Sequence, residues 1–218
     1  MNPVNILFKN MNNIWVDETN RITKEHVEAI GNFLSTYYTD LKYIYNFQQF
    51  KHDTISVEEF LQKDTGSFYS FLIEFRIIRN ITQGSAKELL NETNSWVNGN
   101  HADDVDGFAK KLSRTHFTSG RTLTSLASKV LFLNNPWDII PIDARARKAL
   151  SVRKNEYSIY NKKLASYREE NRLILKKFLE YIEPMSSLVD NEFRKELNDI
   201  RTIRENRLAD KFLWTIGR

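Results

Sequence analysis

Apolar residues recur at spacings of three and four through most of this chain, the pattern of helices that bury one face. Only seven Gly and four Pro interrupt it, and alternating apolar strands are scarce, so the fold class is all-α. Thr23 is placed to cap a first helix that carries Val27, Ile30, Leu34 and Tyr37 or Tyr38 on one side. Ser56 with Glu59, and Ser85 with Glu88, form capping-box patterns for two more. Phe68, Phe71, Leu72, Phe75 and Ile78 would suit a strand by residue type, but their spacing predicts a buried helix. Gly99 and Asn100 read as a stop, and Asp103 and Asp104 open a helix through Phe108 and Leu112. A turn at Ser119 and Gly120 leads into a helix from about Thr124 to Leu133, halted by Asn134, Asn135 and Pro136, and a short helix restarts at Asp143. Tyr157 to Ile182 reads as one long helix ended near Pro184, and Ser187 to Trp214 as two further amphipathic helices.

A length of 218 residues suits one helical domain over residues 1–218, and no repeat or interdomain linker divides it. The absence of cysteine excludes disulfides, thiolate zinc sites, iron–sulfur clusters and cysteine nucleophiles, and makes the cytoplasm the default compartment. Between Met1 and Asn10 there is only a brief apolar patch, Val4 to Phe8 broken by Asn5, which predicts neither a signal sequence nor a span. No later segment reads as a span, so no membrane partner is expected.

Four His, at 26, 52, 101 and 116, stand too far apart to pair on a helix, and no metal site is expected from them. Asp103, Asp104 and Asp106 follow His101, but without the Gly and terminal Glu of a calcium loop they read first as helix-start carboxylates. There is no phosphate-cradling Gly-rich loop and no nucleophile elbow, so neither a nucleotide cofactor nor any other is expected. The net charge of +4, with Arg145, Arg147, Lys148, Arg153 and Lys154 clustered after Pro141, permits phosphate binding; a solvated basic face is the plainer alternative.

The most informative run extends from Leu126 to Leu150. It reads as a buried helix, a loop bounded by Pro136, a short extended Ile139-Ile140-Pro141-Ile142, and Asp143 at the entrance of a basic helix. An Asp in that position has two compatible jobs. Its carboxylate can accept hydrogen bonds from the first helical amides, which needs no function, or serve as a rigidly held anion beside phosphate-binding cations.

This run resembles the active-site region of the helix-hairpin-helix DNA glycosylases, particularly the bacterial proteins similar to 8-oxoguanine DNA glycosylase. Pro141, Ile142, Asp143, Ala144 and Arg145 match the Pro-Ile-Asp pattern and its Arg-containing helix, with Ala127, Ser128 and Lys129 upstream. The run from Arg207 to Trp214 is similar to the closing helix of such proteins. The chain departs from the family twice. Ser119, Gly120, Arg121, Thr122 and Leu123 stand where the family has its Leu-Pro-Gly-Val-Gly type of phosphate-holding turn. By spacing, Thr124 and not Lys129 falls near the Schiff-base lysine of bifunctional members.

The resemblance implies a base-excision repair glycosylase that hydrolyses the N-glycosidic bond of a damaged or modified base flipped out of duplex DNA. It would be monofunctional in preference to a bifunctional lyase. Asp143 would carry the chemistry, with Lys129 a further catalytic candidate, and Arg121, Arg145, Arg147 and Lys148 would bind DNA. Trp137 and Trp214 are candidates for the base pocket, or else core residues. Two rivals stand beside it. One is a catalytically silent helical module that binds nucleic acid or protein, for example in phage defence or a mobile element. The other is a phosphodiester-cleaving or lyase enzyme using Lys129 or the Asp103, Asp104 and Asp106 cluster.

Overall fold

The computed structural model describes residues 22–62 and 66–218, so the patch from Val4 to Phe8 lies outside the described residues. The regular structure of the described residues is helical throughout: α1 (Lys24–Lys51), α2 (Val57–Phe60), α3 (Phe68–Glu74), α4 (Ala86–Val97), α5 (Val105–Leu112), α6 (Thr124–Asn134), α7 (Ala144–Ala149), α8 (Tyr157–Glu170), α9 (Arg172–Phe193) and α10 (Ile200–Ile216). Short 3-10 turns occupy Ile78–Asn80 and His116–Thr118.

The long helix α1 organises the rest. Ala29, Phe33, Tyr37, Leu41, Ile44 and Phe47 form its buried stripe, and α10, α9 and α6 pack around it. Val27, expected on that stripe, is 58% exposed because the buried face is set one residue out of phase, on Ala29 and Phe33. Thr23 does cap this helix, accepting from the His26 amide while His26 Nδ1 accepts from the Thr23 amide at 3.1 Å. Ser56 and Glu59 form the expected capping box, although the helix they start is a single turn.

Three expectations need correction. Ser85 makes no capping bond: its backbone is not extended, so its hydroxyl is not aimed at the first amides, and Glu88 instead meets His116 at 3.1 Å. The helix expected from Tyr157 to Ile182 is broken at Asn171, whose backbone leaves the helical range (φ −104°, ψ 13°) while its side-chain amide donates to the Tyr167 carbonyl at 2.8 Å. Pro184 does not end α9 but lies inside it on an exposed face, where water can satisfy the carbonyl that loses its amide partner. Residues 187–193 therefore finish α9, and α10 is the single helix that follows.

Polar groups tie the long helices together inside the core. The Tyr37 hydroxyl donates to Asp190 at 2.7 Å, and Arg204 reaches Glu183 at 2.8 Å, Asp190 at 3.5 Å and the Ser186 hydroxyl at 2.8 Å. Arg207, 1% exposed, donates twice to Asp40 Oδ2, at 3.0 and 2.7 Å, with its guanidinium over the Phe132 ring. Buried charges persist only when paired and hydrogen-bonded, and these pairs fix how α10 sits on α1 and α9. No helix among the described residues is long and apolar enough to cross a membrane.

Candidate active site

Asp143 is held by a rigid approach. Ile139, Ile140, Pro141 and Ile142 are buried outside regular secondary structure, where unpaired amides and carbonyls would be costly. Side chains supply the partners. The Tyr157 hydroxyl meets both the amide and the carbonyl of Ile140, at 3.0 and 3.1 Å, and Tyr160 donates to the Pro141 carbonyl at 3.3 Å. Ser128 on α6 accepts from the Ile142 amide at 3.1 Å. The chain then enters α7, where Asp143 Oδ1 accepts from the Ala146 amide at 2.8 Å. The helix N-terminus favours negative charge at this position.

Beside Asp143 opens a cleft of about 550 Å³. Its walls come from α1 (Asn32, Ser35, Thr36), the end of α3 and the turn after it (Glu74 to Arg76, Arg79, Asn80), the first half of α6 with Lys129, α7 with Arg145 and Arg147, and α10. Cations outnumber carboxylates here: Arg76, Arg79, Lys129, Arg145, Arg147, Arg207 and Lys211 face Glu74, Asp143 and Asp210. Arg76 adopts a left-handed backbone, φ 56°, which reverses the chain directly after Phe75. The Phe75 carbonyl then accepts from Lys129 Nζ at 2.8 Å. Burial pushes the Lys129 ammonium below its ordinary value, and the carboxylates of Asp143 and Asp210 partly restore it.

The cleft brings together Asp143, Lys129, Arg145, Arg147 and Trp214. Arg145 lies over the Trp214 ring at 4.1 Å, and its Nη1 is enclosed without a hydrogen-bond partner among the described residues. The other candidates sit elsewhere. Trp137 is half-buried on a different surface, donating from Nε1 to the Asn198 carbonyl at 2.7 Å. Lys148 donates to the Arg218 carbonyl and does not line the cleft. Arg121 donates to the carbonyls of Thr118 at 3.2 Å and Asn80 at 2.8 Å, tying the Ser119–Gly120 turn to the cleft's edge. Thr124 is buried and its hydroxyl donates to the Asn155 carbonyl at 2.9 Å. The acidic cluster caps helices: Asp104 accepts from the Gly107 amide at 2.9 Å, and Asp106 from the amides of Tyr157 and Ser158 that open α8.

Sequence reasoning missed Asp210. Arg207, Asp210, Lys211 and Trp214 stand at positions i, i+3, i+4 and i+7 of α10 and all line the cleft, while Leu208, Ala209, Phe212 and Leu213 face the core. A polar stripe at helical spacing on a helix with an otherwise buried face was the signal available. Arg207 Nη1 reaches Asp210 at 2.7 Å. Burial pushes the Asp210 carboxyl above its ordinary value, against the opposing pull of Arg207 and Lys211.

A second groove, about 270 Å³ between α8, α9 and α10, is a weaker candidate although it is also lined by Arg and Lys. Two of its cations are answered within it, Arg204 by Glu183 at 2.8 Å and Arg201 by Glu205 at 3.1 Å. Compared with family models, curated proteins and solved structures, the chain matches none.

Proposed function

We propose that this protein is a DNA base-excision glycosylase of the helix-hairpin-helix type, hydrolysing the N-glycosidic bond of a damaged or modified base extruded from duplex DNA. One observation carries the proposal: a carboxylate fixed at a helix N-terminus, Asp143, opens onto a cleft in which cations exceed carboxylates. A volume of about 550 Å³ falls in the range of about 300–1,000 Å³ that small-molecule pockets occupy, which suits a single extruded nucleotide. Phosphates of the distorted strand would meet Arg145 and Arg147 on one side and Arg76 and Arg79 on the other. Asp143 would stabilise the positive charge that develops on the sugar as the base departs.

On this reading the hairpin would be formed by α5, the turn at Ser119 and Gly120, and α6, which packs back against α5. Ser119 and Gly120 are both left-handed, φ 53° and 74°, so two successive residues reverse the chain without the family's Pro. Arg121 anchors that turn to the Ile78–Asn80 segment.

The experiment is incubation with a panel of duplexes, each carrying one modified base, followed by alkali to reveal abasic sites. Strand scission at one lesion is expected with chelator present, because no step requires a metal. Uniform absence of scission, with DNA binding retained, would favour the catalytically silent binding module.

A further inference from the structure

We propose that Asp210 is a second working carboxylate of this cleft, taking the proton of the water that attacks the sugar while Asp143 holds the positive charge; this rests on the glycosylase reading above. The two residues come from different ends of the fold. Asp143 is the N-cap of α7, and Asp210 stands on the polar stripe of α10, yet both line the cleft and Asp210 feels the charge of Asp143. Asp210 is held in place from beneath. Arg207 donates to it at 2.7 Å and is itself locked to Asp40 by two hydrogen bonds in the core. Its side chain keeps 15% exposure, so the carboxylate can reach a water in the cleft.

The charges around Asp210 come from every neighbouring element: Arg207 and Lys211 on α10, Asp40 on α1, Lys129 on α6 and Asp143 at the start of α7. Burial raises the basicity of the carboxylate, and Arg207 and Lys211 oppose that rise. Asp40 takes Nε and Nη2 of Arg207 and Asp210 takes Nη1, so Asp210 completes the pairing of a buried guanidinium and also borders the cleft.

The step balances. Water bonds through oxygen to the anomeric carbon as the carbon–nitrogen bond breaks, and that bond's electron pair leaves with the base. The water's proton passes to Asp210, the departing base takes a proton from solvent, and Asp210 returns its own to solvent. Most glycoside hydrolases likewise divide the work at a glycosidic bond between two carboxyl groups.

The test is single-turnover excision by wild type, Asp210→Asn and Asp210→Glu on the best duplex of the panel, with rate followed against pH and with melting and DNA affinity measured alongside. The Asn variant is expected to lose on the order of 100-fold or more in rate, to keep its affinity, and to show an acid limb displaced from that of wild type, leaving only the part that Asp143 sets. A rate within threefold of wild type, or an unchanged acid limb on the residual activity, would overturn the assignment and leave Asp210 as an anchor for Arg207. Where the Asn variant does not melt cooperatively, the Glu variant decides. A displaced carboxylate should slow the reaction at least tenfold and move the acid limb, and a wild-type rate and profile would count against it. If wild type excises no base from any duplex, the glycosylase reading itself fails and this assignment falls with it, whereas activity that survives in Asp210→Asn defeats this assignment alone.

Discussion

The Arg145 guanidinium lies over the Trp214 ring at 4.1 Å and so joins α7 to α10 at the edge of the cleft. A planar cation stacked on indole is pre-oriented, and its outward edge can meet phosphate without further ordering.

If this face meets the DNA backbone, Arg145→Ala with Arg147→Ala will weaken binding to all sequences alike. The salt dependence of affinity should flatten by roughly one unit of slope for each phosphate that is no longer neutralised. Lys148→Ala, whose ammonium reaches the Arg218 carbonyl away from the cleft, should leave the slope unchanged. Titrations at several salt concentrations decide, and equal slopes for all variants would place α7 off the interface.

Asp143→Asn keeps an oxygen for the Ala146 amide and removes the charge. Excision should fall by roughly two to three powers of ten with the melting temperature and DNA affinity nearly unchanged. Comparable single-turnover rates in the two proteins would remove Asp143 from the mechanism.

Lys129 combines a lowered basicity with a place in the cleft, so its amine must be tested directly. Its hydrogen bond to the Phe75 carbonyl ties Nζ to the wall, and the expected outcome is that borohydride traps no covalent protein–DNA adduct. An adduct abolished by Lys129→Ala would make the protein a lyase with Lys129 as its nucleophile.

The Ser128 hydroxyl is the partner of the Ile142 amide, one residue before Asp143. Ser128→Ala leaves that buried amide unpaired, at a cost of about 1–3 kcal/mol in stability. Denaturant unfolding measures the loss, and excision should fall as well because the Asp143 approach loosens. Unchanged stability would mean that the segment finds another partner.

His26 gives the fold a pH dependence of known sign. Burial against Phe178 and Phe212 lowers its basicity below the ordinary 6.5, and its Nδ1 must be unprotonated to accept from the Thr23 amide. The folded state therefore favours neutral His26. Its contribution is complete above pH 6.5 and is lost as pH falls through the lower folded value. Melting temperatures of wild type and His26→Gln should converge on going from about pH 7 to about pH 5. A gap that stays constant would exclude His26 as the source.

Local signals made much of this structure legible in advance. Thr23, Ser56, Asp104 and Asp143 cap the helices they were expected to cap, because an N-cap is written in the residues beside it. Ser85 misled because a capping box also needs an extended backbone, which tertiary packing did not supply. The break at Asn171 and the uninterrupted helix through Pro184 turn on local backbone conformation and exposure, which hydrophobic periodicity does not encode. In the cleft, the contiguous run around Asp143 was visible, whereas Asp210, Arg76 and Arg79 reach it only through the packing of α10 and the left-handed turn at Arg76.

The pairing of Asp40 with Arg207 and of Arg207 with Asp210 makes one guanidinium answer to both the core and the cleft. Losing Asp40 would leave Nε and Nη2 of a buried guanidinium unpaired, at a cost of up to about 3–5 kcal/mol, and would loosen the group that steadies the Asp210 carboxylate above it. Substitutions along this chain are therefore not independent: the effect of each depends on whether the others are intact. Changes meant to harden the scaffold at Asp40 will register as changes in the cleft, and selection acting on either property constrains the same three residues together.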